Sequence, residues 1–253
     1  MIKSVALHIL KGGVGKTTLS GNIGYCISKK DKKTILIDCD MQANLSSWLI
    51  KNDVKYNYEL ADILQGNIEV EEAIIQIRDN LYIIPTKENG SNLRAYSETK
   101  LTKEPFIFDD LNQELDKLGF AYAIYDLAPS MTQLERCILL GCVEVITPIT
   151  PEYFGFNGIE LFYNELLQIK KGYRKEIKYD KIILNIINNS FDTHKYFSDL
   201  FLKIPNYKVY KMGQDRKLAD SQRNYQTIFE YYPKSHSIVE LEKITEDLLK
   251  DEK

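Results

Sequence analysis

Cysteine is scarce and unpatterned in this sequence. Cys26, Cys39, Cys137 and Cys142 form no Cys-x-x-Cys pair and have no histidine near them in sequence. That excludes a disulfide scaffold and leaves zinc or redox chemistry without support. Cys26 and Cys39 sit inside apolar runs, where a free thiol behaves as a small core residue. Bulk positive charge is missing too: 33 Lys+Arg against 36 Asp+Glu give a net charge of −3, so nucleic acid could be held only by a local patch. No run approaches the roughly 18 apolar residues of a membrane span. The N-terminal run, interrupted by His8, reads as a strand and not as a signal peptide, and the expected location is cytoplasmic. There is no internal repeat, low-complexity tract or Pro/Gly/Ser-rich linker. The 253 residues, 44% of them hydrophobic and 27% charged, carry enough apolar material for a large core.

Short apolar runs alternate with segments of helical spacing. Strands are expected at residues 2–10, 34–38, 81–85, 121–126, 144–150, 181–187 and 207–212, and helices at 17–29, 106–118, 134–140, 158–171 and 194–203. Strands that are apolar throughout are those buried on both faces of a parallel sheet. The alternation does not pause, which predicts one doubly wound α/β domain over residues 1–253.

The first strand runs into Lys11-Gly12-Gly13-Val14-Gly15-Lys16-Thr17-Thr18, with a helix after it. Glycines there let backbone N–H groups turn inward around an anion, and the helix N-terminus adds partial positive charge. Lys16 is placed to reach the β- and γ-phosphates of a nucleotide and the Thr17 hydroxyl to ligate Mg²⁺. Leu10 stands where the usual phosphate-loop pattern has its first glycine; Gly12 and Gly13 supply the flexibility instead, and Lys11 adds a second lysine.

The segment KGGVGKTT resembles the deviant Walker A loop of the ParA/Soj/MinD ATPases, and the resemblance continues along almost the whole chain. Residues 35–46, ILIDCDMQANLS, look like that family's DxDPQGNLS switch, with Met41 and Ala43 in place of its proline and glycine. Residues 124–130, IYDLAPS, look like its Walker B stretch. Residues 147–154 and 228–235 match its later loops. The resemblance implies ATP as substrate, Mg²⁺ as cofactor and a homodimer formed on ATP binding. Lys16 then serves its own subunit's nucleotide and Lys11 the partner's, while Asp40 places the attacking water. Asp126 organises the metal, with Asp38 supporting it. Asn44 belongs to the same switch. Asn185, and Met212-Gly213 in the later loop, fall where relatives contact the base.

Among family branches, the resemblance points to a short ParA/Soj-type partition ATPase, without the N-terminal winged-helix domain of larger relatives. Residues 239–253 carry six acidic residues and three lysines, the wrong charge for a membrane-binding amphipathic helix. Residues 203–223 carry six basic and two acidic residues, and Lys211, Arg216, Lys217 and Arg223 are candidates for non-specific DNA contact. Lys217 falls on an arginine position that contacts DNA in Soj-type relatives; Ser190 replaces a second such arginine. The implied activity is slow ATP hydrolysis stimulated by a ParB-like partner, with nucleoid association. Positioning of a protein cargo is the alternative.

Overall fold

The computed structural model describes residues 1–87 and 91–250. Eight strands form one sheet: β1 (Lys3–Leu7), β2 (Thr34–Asp38), β3 (Ile75–Arg78), β4 (Leu81–Ile84), β5 (Tyr122–Asp126), β6 (Glu144–Ile149), β7 (Lys178–Ile187) and β8 (Lys208–Gly213). Their order is β3-β4-β2-β5-β1-β6-β7-β8, parallel throughout except for β3 against β4. The expected mostly parallel sheet is therefore present, with β1 near its centre.

Alternate residues of the strands enter two cores. Val5, Leu7, Leu36, Ile83 and Ile124 face one side, with Leu19, Ile23 and Ile27 of α1 (Lys16–Ser28), Trp48 of α2 (Asn44–Leu49) and Leu241, Ile244 and Leu248 from residues 237–250. Ala6, Ile35, Ile37, Ala123 and Tyr125 face the other, against α3 (Leu60–Leu64), α4 (Ser91–Thr99), α5 (Ile107–Lys117), α6 (Gln133–Gly141), α7 (Tyr153–Tyr173) and α8 (Asp192–Phe201). Three further helices complete the first side: α9 (Arg216–Arg223), α10 (Ile228–Tyr231) and α11 (Ser237–Lys250). All four cysteines are free and buried, as the apolar runs around Cys26 and Cys39 predict for those two.

The differences from expectation have local causes. β3 has no counterpart among the expected strands, because Ile75-Gln76-Ile77-Arg78 is short and alternating; it pairs antiparallel with β4 through a two-residue turn in which Asn80 takes φ 55°. The first strand stops at Leu7 and not at Leu10, since the chain must leave the sheet to build the glycine loop. α7 starts at Tyr153, five residues earlier than its glycines suggest. Gly155 is required there: a Cβ would lie 2.5 Å from the Thr150 carbonyl oxygen. α11 buries Leu241, Ile244 and Leu248, so its apolar face is spent on the core. Residues 251–253 of that acidic segment lie outside the described residues, among which no helix is long and apolar enough to cross a membrane.

The two sheet edges differ. β3 has four residues and its register shifts between Gln76 and Arg78. β8 presents Lys208 and Lys211 to solvent.

Candidate functional site

The site lies at the carboxyl ends of the central strands, where a parallel sheet presents ligands. Gly13 and Gly15 take φ +73° and +88°, a conformation that L side chains avoid. Gly15 caps α1 and offers no side chain to its first turn, so the helix N–H groups point free toward an anion. Asn185 braces this turn from behind: its Nδ2 donates to the Val14 carbonyl at 2.9 Å, and its Oδ1 accepts from Ile186 N at 2.9 Å.

A cavity of about 780 Å³ opens in front of the loop. Gly12, Gly13, Gly15, Lys16, Thr17 and Thr18 line one wall, Asp40, Gln42 and Asn44 another, and Pro129 and Ile186 contribute at the sheet end. Ser47, Trp48, Gln222 and Arg223 close the far side. Val14 turns into the core at 0% exposure, leaving its backbone to shape the loop.

Lys16 is nearly buried; its Nζ donates to the Lys11 carbonyl at 3.0 Å. Burial lowers its pKa, and the charges of Asp126 and Asp40 oppose that fall. Asp126 is wholly buried. The Ser20 hydroxyl donates to its Oδ1 at 3.0 Å, while Oδ2 has no hydrogen-bond partner. Burial pushes its carboxyl up to about 7, against contacts with the Thr17 and Ser20 hydroxyls and with Lys16. A buried, open carboxylate oxygen beside Thr17 fits a divalent cation. Among the described residues no cluster of three or more His, Cys, Asp or Glu could hold a metal. Mg²⁺ takes one or two carboxylates plus phosphate and water oxygens, and Asp126 with the Thr17 hydroxyl would supply the protein's share of that set.

Asp38 has a different setting. Its Oδ2 accepts from Ser46 N at 2.8 Å and Ser46 Oγ at 2.7 Å, its Oδ1 accepts from Asp40 N at 3.2 Å, and its carbonyl accepts from the Thr86 hydroxyl at 2.6 Å. Like Asp126 it does not line the cavity, but both of its oxygens are engaged, and it ties the switch turn to the sheet. Burial, then the neighbouring Asp126, pushes its carboxyl up to about 7. Asp40 is half-exposed at the cavity and accepts from Gln42 N at 2.9 Å. Ala43, in the glycine position of the resembled switch, is held at φ 51°, which costs an alanine about 1–2 kcal/mol that glycine avoids.

Lys11 turns away from its own cavity. Its Nζ meets Thr150 Oγ1 at 2.9 Å and Glu152 Oε2 at 2.9 Å, and hydrogen bonding to Lys11 is the main reason that the Glu152 carboxyl lies below its ordinary pKa.

The later candidates divide. Asn185 and Met212 are buried behind the site, Gly213 packs near the His236 ring, and none of them lines the cavity; Ile186 does, at an unusual φ of 58° for a β-branched residue. Lys211, Arg216 and Lys217 are exposed. Lys217 Nζ lies 3.4 Å from Asp220 Oδ2 and 5.9 and 5.8 Å from the Tyr231 and Tyr232 ring centres. Arg223, from the same basic stretch, stands at the cavity instead. Sequence reading missed Gln222 and Trp48, which reach the cavity from helices with no phosphate-binding signature.

A family described as an AAA domain matches residues 2–179. An uncharacterized protein of Borreliella burgdorferi is 43% identical over 98% of this chain and 99% of its own length. The sporulation initiation inhibitor protein Soj of Bacillus subtilis is 26% identical over 93% of each chain. Among solved structures, a Borrelia burgdorferi protein assigned to plasmid partition, bound to AMPPNP, superposes with a TM-score of 0.83 at 23% identity, covering 99% of this chain and 100% of that one.

Proposed function

The chain belongs to the ParA/Soj/MinD family of P-loop ATPases, and from that premise we propose that it is a Mg²⁺-dependent, dimerising switch ATPase for DNA partition. The observation that supports this best is the convergence of Lys16, Thr17 and Asp40 on one cavity under a helix N-terminus with no side-chain cap, with Asp126 behind. The glycine-loop N–H groups and Lys16 bind the β- and γ-phosphates of ATP, the charge-assisted contacts on which phosphoryl transfer depends. Thr17 and Asp126 would hold Mg²⁺, which neutralises phosphate charge when bound. Asp40, open to the cavity, orients the attacking water. Lys11 is directed away from its own cavity, toward Thr150 and Glu152, and serves the nucleotide of a second subunit. Closing two subunits face to face thus completes each site.

Light scattering in Mg-ATP tests the arrangement. Asp40→Ala is expected to bind ATP and accumulate as a dimer, whereas Lys11→Ala binds ATP and stays monomeric. The same oligomeric state for both would remove the cross-subunit role of Lys11.

The DNA assignment rests on Lys211, Arg216 and Lys217, exposed along the end of β8 and the start of α9. A monomer of net charge −3 is a poor DNA ligand, while a dimer aligns two copies of this face. Binding is therefore expected to need ATP, ignore sequence and weaken with salt at a log–log slope of about −0.9 per phosphate neutralised. Lys211→Glu combined with Lys217→Glu is expected to abolish retention in a filter assay but to leave ATP-dependent dimerisation unchanged. If the wild-type dimer retained no duplex at low salt, positioning of a protein cargo would replace DNA partition. Stimulation by a ParB-like partner and nucleoid association belong to the same proposal, and ATPase rates with and without DNA and that partner test them.

A further inference from the structure

We infer that Arg223 is a second phosphate-binding cation of the nucleotide site, reading the polyphosphate of its own subunit's nucleotide and not the DNA backbone. The inference rests on the nucleotide-binding reading above and extends it to a residue from an unrelated part of the chain. The first observation is position. Arg223 is the last residue of α9 and lines the same cavity as the glycine loop.

The second is charge. Of the residues lining that cavity, only Lys16 and Arg223 carry positive charge, against Asp40. Lys11 is engaged with Thr150 and Glu152. A triphosphate brings several negative charges, so one lysine and a helix N-terminus leave much of that charge without a counter-charge within the subunit. A guanidinium offers planar, paired N–H donors that match phosphate oxygens.

The third is rigidity. Gln222 Nε2 donates to the Thr18 hydroxyl at 2.8 Å, which ties the end of α9 to the first turn of α1. The turn that follows is clamped as well. Trp48 Nε1 donates to the Gln226 carbonyl at 2.9 Å, Arg78 Nη2 to the Tyr225 carbonyl at 2.7 Å, and Ile228 N to Asn22 Oδ1 at 2.9 Å. Arg223 is thus mounted on a fixed frame beside the phosphate loop. Its own side chain is exposed, and among the described residues it makes no ion pair with a carboxylate.

The fold supplies its own reporter. Trp48, the one tryptophan of the chain, lines the same cavity, so its emission can follow nucleotide titrations without DNA. Arg223→Ala is expected to bind both ATP and ADP about tenfold to hundredfold more weakly than wild type, with Arg223→Lys between them. Inorganic triphosphate competing with ATP should lose affinity for Arg223→Ala by the same factor, because the side chain reads phosphate and not base. Thermal unfolding of both variants at the wild-type temperature shows that the frame is intact.

ATP and ADP affinities within twofold of wild type in Arg223→Ala would overturn the inference and return this residue to the DNA-facing surface. Loss for ATP alone, seen only when dimers form, would move the contact to the partner's nucleotide and overturn the own-subunit assignment. Unchanged competition by triphosphate would overturn the phosphate assignment. A wild-type protein that binds no nucleotide would overturn the ATPase reading itself, an outcome distinct from these.

Discussion

Replacing Lys16 with alanine is expected to weaken ATP binding by about three orders of magnitude. Each charge-assisted hydrogen bond from the ammonium to phosphate is worth roughly 1.5–3 kcal/mol, and two such bonds account for about 10²–10⁴ in affinity. The loss goes beyond the bonds themselves, because Lys16 also offsets Asp126 and Asp40, whose charges act on it. Without it, the triphosphate approaches carboxylates with only N–H groups and Arg223 to oppose them. Folding is followed separately by thermal unfolding, because alanine removes the cost of burying the lysine charge and also removes a charge that lowers the Asp126 carboxyl. Calorimetric titration with Mg-ATP measures the effect, and micromolar binding by Lys16→Ala would remove the phosphate-loop assignment.

Changing Asp126 to asparagine is expected to stabilise the nucleotide-free protein at pH 8 while abolishing Mg²⁺-dependent hydrolysis. Asp126 and Asp38 are each pushed up to about 7 by burial. An unfolded aspartate titrates near 3.9, so between about pH 4 and 7 the folded chain binds more protons than the unfolded one. The contribution of these groups is present below pH 4 and lost as pH rises through 7. A shift of about three units is on the order of 3–4 kcal/mol at pH 8. The asparagine side chain keeps an acceptor for Ser20 and places an uncharged amide where the Asp126 Oδ2 has no partner. It also removes the charge that helps to raise the pKa of Asp38. Melting curves between pH 5.5 and 8 should therefore fall less steeply for Asp126→Asn, with a midpoint several degrees above wild type at pH 8. Parallel curves for the two proteins would show that the buried carboxyls carry no such cost.

The phosphate end of the site is readable because its chemistry is local. The glycines, Lys16 and Thr17 lie within a few residues at a strand–helix junction, and Asp40 and Asp126 stand at or just past the ends of apolar strands. The remainder of the cavity is assembled over long range. Gln222 reaches Thr18 across 204 positions of sequence and Arg223 follows it at the cavity, and nothing around them separates a cavity-lining arginine from a basic surface helix. Asn185 does stand at the expected strand end, but whether it meets a base or the underside of the loop depends on a one-residue choice. The positive φ of Ile186 turns that residue into the cavity, and Asn185 is left behind it. Asp38 and Asp40 pose the same problem: side chains two apart share an acidic motif, yet one is consumed by Ser46 and the other is open.

The edges of the sheet constrain how copies of this protein can associate. Unpaired strand edges are templates on which further strands can be added without limit, and long, flat, apolar edges are the dangerous ones. At one edge β3 is only four residues long with a shifted register, and its reversed direction breaks the parallel ladder. At the other, Lys208 and Lys211 are exposed on β8, Lys208 paired with Asp247; a strand docking there would meet the Lys211 ammonium and would have to accommodate the Lys208–Asp247 pair. Backbone-to-backbone polymerisation is thus blocked at both ends of the sheet. Higher-order assemblies must use side-chain surfaces, whose exposed charges make them sensitive to salt.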